Sequence, residues 1–342
     1  MQFTKQRRLA WLSVVVAAGL IVAACGDDDS TETGGDSGGG DVSGDVNVSG
    51  SSTVQPISTA VGEAYMDENA EVTVNVDGPG TGDGFELFCQ GDTDISDASR
   101  PIKDEEKAAC DEAGIEYVEL QVGFDGMAVM TSANNDAVEC LSFADLYALI
   151  GPEAEGFAKW SDAASIATAL GSTTELPDAD LALTGPGTES GTYDSFIEIA
   201  LAPIAEERGQ PEDKIETTRS DYDASPDDNV IIQNIEASDS SLGWVGFAYA
   251  EQAGDQIKEL ALAEEPGGEC VEPSVETIAD GTYPLSRSLY IYVNTAKAEE
   301  NPAVAGYVDF YLDGLAGFVE DSGYVPLPED QAAATVSAWE GR

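Results

Sequence analysis

Histidine is absent from this 342-residue chain and basic residues are scarce: 14 Lys and Arg stand against 66 Asp and Glu, a formal charge of -52. Without imidazole there is no Ser-His-Asp or Cys-His catalytic unit, no His-ligated zinc or haem, and no imidazole pH switch. So few cations also exclude nucleic-acid binding as a main activity, because that affinity comes from Lys and Arg neutralising phosphates. No GxxxxGK[ST] element occurs, which removes the nucleotide-hydrolase reading. What the chain does contain is core material: 42% hydrophobic residues, with 12 Tyr, 10 Phe and 4 Trp. That composition folds, and the acidity reads as a solvated, halotolerant surface whose self-repulsion salt screens.

A long apolar run stands at the start. Lys5, Arg7 and Arg8 precede residues 9–24, of which only Ser13 and Gly19 are neither aliphatic, Ala nor Trp. A positive cap on a short apolar run is the pattern of an export signal. A run that stops at Cys25 is short for a membrane span, which needs roughly 20 apolar residues. Ile21-Val22-Ala23-Ala24-Cys25 resembles the bacterial lipobox, which implies removal of residues 1–24, lipidation of Cys25 and residence on the outer face of the cell membrane. Arg7-Arg8 leaves the general and twin-arginine export routes both open. Residues 25–45 hold little that is apolar except Val42, so they are expected to form a disordered tether.

Cys89, Cys110, Cys140 and Cys270 can form two disulfides in an exported chain, in any of three pairings. The expected pairing joins Cys89 to Cys110, one helix and a loop apart, and Cys140 to Cys270 across the second half. A four-thiolate metal site is the rival, but no two of these cysteines have the CxxC spacing of structural zinc sites.

Val46 and Val48 alternate as in a strand, and Val54, Ile57, Val61 and Tyr65 follow at helical spacing, with Pro56 in the first turn. Val72, Val74 and Val76 then alternate, Phe85, Leu87 and Phe88 follow a glycine-rich loop, and residues 94–97 are extended. Residues 127–130 read as a strand, residues 143–150 as a helix and residues 181–183 as a strand. Tyr193, Phe196, Ile197, Ala200 and Leu201 mark a strong amphipathic helix. The alternation argues for an α/β fold in two domains, with mostly parallel sheets whose ligands collect at the carboxyl ends of the strands.

Three loops share one design, in which Gly, Ser and Thr enter a helix: residues 51–53, 81–84 and 190–192. Glycine lets the backbone approach a ligand, hydroxyls donate hydrogen bonds, and the free N–H groups of a helix start carry partial positive charge. Each loop taken alone reads better as ordinary Ser/Thr capping. Three of them after strands, with no Walker lysine, point to an anion held mostly by neutral donors.

Gly50-Ser51-Ser52-Thr53-Val54, Gly80-Thr81-Gly82-Asp83-Gly84-Phe85, Asp94-Ile95-Ser96-Asp97-Ala98-Ser99-Arg100-Pro101 and Gly185-Pro186-Gly187-Thr188-Glu189-Ser190-Gly191-Thr192 together resemble the phosphate-binding protein of the Pst-type ABC transporter. Gly243-Trp244-Val245-Gly246-Phe247-Ala248-Tyr249 and Pro284-Leu285-Ser286-Arg287 look like further landmarks of that family. The resemblance covers about residues 46–325. It implies a type II periplasmic-binding fold, with lobe 1 over residues 46–123 plus 291–342 and lobe 2 over residues 124–290. It implies a monomer without metal, cofactor or catalysis that closes on inorganic phosphate and delivers it to a membrane permease.

Carried over by motif, Ser52, Thr53 and the amide of Val54 would bind from the first helix start, and Thr81 and Gly82 from the second. Ser190, Gly191 and Thr192 would bind from the second lobe. Asp97 would be the carboxylate that accepts the proton phosphate keeps and sulfate lacks. Better-known members carry an arginine in the loop before Ser-Gly-Thr, and Gly185-Pro186-Gly187 has none; Arg100 and Arg219 are the candidates to supply the charge. Asp83 stands where relatives commonly have glycine, and is expected to cap its helix facing away from the ligand. The same fold binds sulfate and molybdate, and a scavenger or sensor without a permease is a further alternative.

Overall fold

The computed structural model describes residues 42–188 and 190–342, so the export signal and Cys25 lie outside the described residues. Strand β1 (Ser43–Gly50) buries Val46 and Val48. Helix α1 (Gln55–Glu68) follows and buries Ile57, Val61 and Tyr65, which recur every fourth residue on one face. The chain continues through β2 (Glu71–Asp77), α2 (Thr81–Gln90), β3 (Ile95–Ala98), α3 (Asp104–Ala113) and the 16-residue β4 (Tyr117–Ser132). Then come β5 (Cys140–Ser142), α4 (Phe143–Ile150), α5 (Ala164–Ala169), β6 (Ala182–Gly185), α6 (Gly191–Phe196), β7 (Asp223–Ala224), β8 (Ser241–Gly246), β9 (Ile257–Glu259), β10 (Ala261–Ala263) and β11 (Ser286–Asn294).

β1 lies between β2 and β3 and is parallel to both, which requires crossover connections such as α1 and α2. The loops after all three strands therefore open at carboxyl ends, beside the point where the strand order reverses. β4 changes partners along its length. Tyr117 to Gly126 pair with β11, which also pairs with β3, whereas Met127 to Met130 pair with β8. β6 lies parallel between β8 and β7, so the sheet runs β2-β1-β3-β11-β4-β8-β6-β7. This is the mixed α/β architecture expected of the type II periplasmic-binding fold.

Two expected boundaries differ from the structure. The tether expected over residues 25–45 ends earlier: Ser43 and Asp45 already pair with Glu71 and Thr73, and Asn301 Nδ2 donates to Asp45 O at 2.8 Å. Ladder hydrogen bonds need no apolar side chain, so composition sets this edge too late. The lobe boundary drawn at 290/291 falls inside β11, whose pairing with β3 and β4 keeps Ser286–Asn294 with the first half. At the crossing, Met127 N donates to Leu285 O at 3.0 Å and Tyr283 Oη donates to Met127 O at 2.9 Å.

The helix read through Leu201 is not uniform. α6 ends at Phe196, and Ile197–Leu201 form a wider π turn just before Pro203. Proline lacks an N–H and its ring crowds the carbonyl four residues back, and a wider turn relieves both. Cys89 is bonded to Cys110, linking α2 to α3, and Cys140 is bonded to Cys270, tying β5 to the segment beside β10.

Candidate functional site

The ends of β1, β2 and β3 meet because two glycines leave room. Gly50 has φ +148°, and a Cβ there would lie 2.1 Å from Asp97 O; a Cβ on Gly84 would lie 2.4 Å from Gly50 Cα. The three following loops thus form one wall of a cleft of about 470 Å³, with Ser52, Thr53, Thr81, Gly82, Ser99, Arg100 and Lys103 on it. Asp194, Ile197 and Glu198 line it from the second half.

The wall is built from local hydrogen bonds. Ser51 N donates to Asp97 O at 2.9 Å, and Ser51 Oγ accepts from Thr53 N and Val54 N at 3.2 and 3.4 Å. The Val54 amide is therefore turned to Ser51, and the Val54 side chain is fully buried in the core. Thr81 Oγ1 accepts from Ser99 N at 3.2 Å and lies 3.1 Å from Ser99 Oγ. α2 starts at Thr81 after Gly80, and no side chain caps it. Its first N–H groups are thus left without a side-chain acceptor, the arrangement that attracts an anion. Asp83, third in the helix and exposed, is neither the N-cap nor on the cleft wall.

Across the cleft, Ser190 is the N-cap of α6, its Oγ accepting from Thr192 N at 3.2 Å. For Ser190 the capping reading therefore holds. The two halves touch here: a Cβ on Gly191 would be 3.4 Å from Thr53 Cα, and Ser52 Oγ donates to Asp194 Oδ2 at 3.2 Å. Burial raises the Asp194 carboxyl above its ordinary range, with the Ser52 hydrogen bond acting against that.

Asp97 does not reach the cleft. It is fully buried, its Oδ1 accepts from Ser58 Oγ at 2.9 Å, and its Oδ2 has no partner. Its carboxyl acts on the buried Tyr307 and Tyr311, and burial pushes it up to about 7. The motif match places the site residue two positions too early in the chain. Asp97 lies inside β3 and is held by Ser58 on α1, whereas Ser99, just past the strand end, emerges at the carboxyl edge.

The two candidate arginines separate. Arg100 lies on the cleft wall with its fork on Glu106, Nη1 and Nη2 at 2.8 and 2.7 Å from the two carboxylate oxygens. Arg219 lies elsewhere, donating to Asp221 and to Phe157 O and 4% exposed. A third arginine stands behind Thr53. Arg287 Nη2 donates to Thr53 Oγ1 at 2.8 Å and to Ser195 Oγ at 2.5 Å, while Nη1 donates to Glu198 Oε2 at 2.6 Å. Its Nε lies 3.4 Å from Asp125 Oδ2. Arg287 is 234 positions from Thr53 in the chain, and nothing in local spacing announces the contact.

Known proteins resemble the chain in sequence and fold. A family model described as a PBP superfamily domain matches residues 35–314. The chain is 38% identical over 285 residues to protein SphX of Synechococcus elongatus, covering 83% of this chain and 77% of that protein. It is 34% identical over 317 residues to the phosphate-binding protein PstS of Staphylococcus saprophyticus, covering 93% and 89%. The crystal structure of a possible phosphate binding protein from Planctomyces limnophilus superposes with a TM-score of 0.77 at 34% identity, over 88% of this chain and 99% of that one. Family model, relatives and fold agree: the chain belongs to the PBP superfamily and, within it, to the family of PstS phosphate-binding proteins and SphX.

Proposed function

We propose that this chain is an extracytoplasmic solute-binding protein that captures inorganic phosphate in the cleft and hands it to an ABC permease, without chemistry of its own. One observation carries the choice of anion: the cleft sets hydroxyls, the uncapped start of α2, Arg100 and Lys103 beside the carboxylates of Asp194 and Glu198. Donors suit any oxyanion, but carboxylates on the same cleft suit only one that still carries a proton. Phosphate keeps a proton near neutral pH, and a carboxylate accepts it in a charge-assisted hydrogen bond. Sulfate offers no proton and meets like charge. The similarity to PstS supports the transport role.

The finer parts of the reading rest on sequence. The lipobox-like residues 21–25 support export and a lipid anchor at Cys25. Among the described residues, no helix is long and apolar enough to cross a membrane, so the anchor would be the membrane attachment. Ser52, Thr53, Thr81, Gly82, Ser99 and Arg100, which line the cleft, and the segment 190–192, which meets Thr53 through Gly191 but is not itself among the lining residues, are the proposed phosphate contacts. Equilibrium titration with inorganic phosphate tests the reading. One saturable site is expected, and no uptake by phosphate-free protein overturns it.

A further inference from the structure

The loop before Ser190 lacks a cation, Arg219 is held elsewhere, and the fork of Arg100 is occupied by Glu106. We propose that Arg287 is the positioning residue of the site. It fixes the hydroxyl of Thr53 as a donor to the bound anion and ties the two walls together through Thr53 and Ser195. The proposal rests on the phosphate reading above.

Proton bookkeeping carries the argument. A guanidinium only donates, so the oxygens of Thr53 and Ser195 must both accept from Arg287 Nη2, at 2.8 and 2.5 Å. Each hydroxyl then has one proton left to place. Ser195 can place its proton on the Thr53 oxygen 3.2 Å away or towards the Asp125 carboxyl, which also faces Arg287. Thr53 is left with two acceptors, Ser195 Oγ at 3.2 Å or an anionic oxygen in the cleft that Thr53 lines. Ser195 Oγ already accepts from Arg287 and is neutral, so an anion in the cleft wins the Thr53 proton. The positive charge behind the hydroxyl strengthens that donor. In this way Arg287, 11% exposed and outside the cleft lining, lends charge to the ligand through Thr53 without touching it.

The same residue joins the halves. Thr53 precedes α1 in the first half, Ser195 lies on α6 in the second, and Asp125 lies on β4 near the crossing. Among the described residues, Arg287 is the cation with hydrogen bonds to side chains of both walls. Closure and donor orientation therefore depend on one side chain.

The test is calorimetric titration with inorganic phosphate of wild type, Arg287→Gln, Thr53→Val and the double variant, with folding checked by near-UV circular dichroism. Each single change is expected to weaken binding by about 10- to 100-fold, the range of one hydrogen bond to a charged group. The double variant should be little worse than either single one, because Thr53 without Arg287 has lost its orientation. Guanidinium ion at non-denaturing concentration should restore part of the affinity of Arg287→Ala, which a merely structural role would not produce. Single effects that simply multiply in the double variant, or folded variants that bind like wild type, would overturn the proposal. If Arg287→Gln does not fold, Thr53→Val and Thr53→Ser in the native background decide: loss with Val and recovery with Ser is expected, and unaffected binding in Val overturns it. Wild type that takes up no phosphate overturns the phosphate reading itself, whereas binding with indifferent variants removes only Arg287.

Discussion

Replacing Asp97 with Asn should change how stability depends on pH and leave phosphate binding nearly unchanged. Asp97 is fully buried in β3, bonded through Oδ1 to Ser58 on α1, faced by Tyr307 and Tyr311, and has a second oxygen without a partner. Both tyrosines are held above their ordinary range by burial and stay neutral across the acid and neutral range. Burial lifts the Asp97 carboxyl from 3.8 to about 7 in the fold. Its folded pKa is thus above its unfolded one. The native state holds the proton more tightly, and that contribution is complete below about pH 4 and lost as pH rises through 7. The gap between 3.8 and about 7 corresponds to about 4 kcal/mol at 1.36 kcal/mol per pKa unit. Asn keeps an acceptor for Ser58 and removes the buried charge. Glu259 and Asp228 are also raised by burial, to about 7 and about 6, so the absolute slope has several sources. Their effect cancels in the difference between the two proteins. Urea unfolding of wild type and Asp97→Asn from pH 4 to pH 8 should show the variant gaining about 2–4 kcal/mol on wild type across that range. Parallel curves would refute the reasoning, and a variant that lost its preference for phosphate over sulfate would return Asp97 to the cleft.

Loss of the Cys140–Cys270 bond, by serine at both positions, should lower stability by roughly 3 to 5 kcal/mol through regained loop entropy, measured as a drop in the urea midpoint. An unchanged midpoint would mean that the unfolded chain is not the state being constrained. Cys25→Ser should release otherwise intact protein from membranes, scored by fractionation of cells, and unchanged retention would remove Cys25 as the anchor.

The parts of the fold that were legible were those with a local period. Valine alternation marked β1 and β2, and the fourfold recurrence of Ile57, Val61 and Tyr65 marked α1. Strand β4 was read only over residues 127–130, although it runs Tyr117–Ser132 and is buried on both sides over much of its length, a state without alternation. The cradle loops were legible because Gly, Ser and Thr there have a backbone reason to exist. Side-chain direction was not. Asp97 satisfied the motif but points into the core, and Ser99, two residues on, lines the cleft. Arg287 was visible as a landmark and not as a partner of Thr53, because only the pairing of β11 with β3 and β4 brings together two residues 234 positions apart.

The measurement that bears most directly on the account is a paired titration of the phosphate-free protein with phosphate and with sulfate at one pH and ionic strength. Phosphate should saturate one site, with sulfate at least about 100-fold weaker because the cleft carboxylates leave it an unmade hydrogen bond and a repulsion. Sulfate binding as tightly as phosphate, or no binding of phosphate at all, would contradict it.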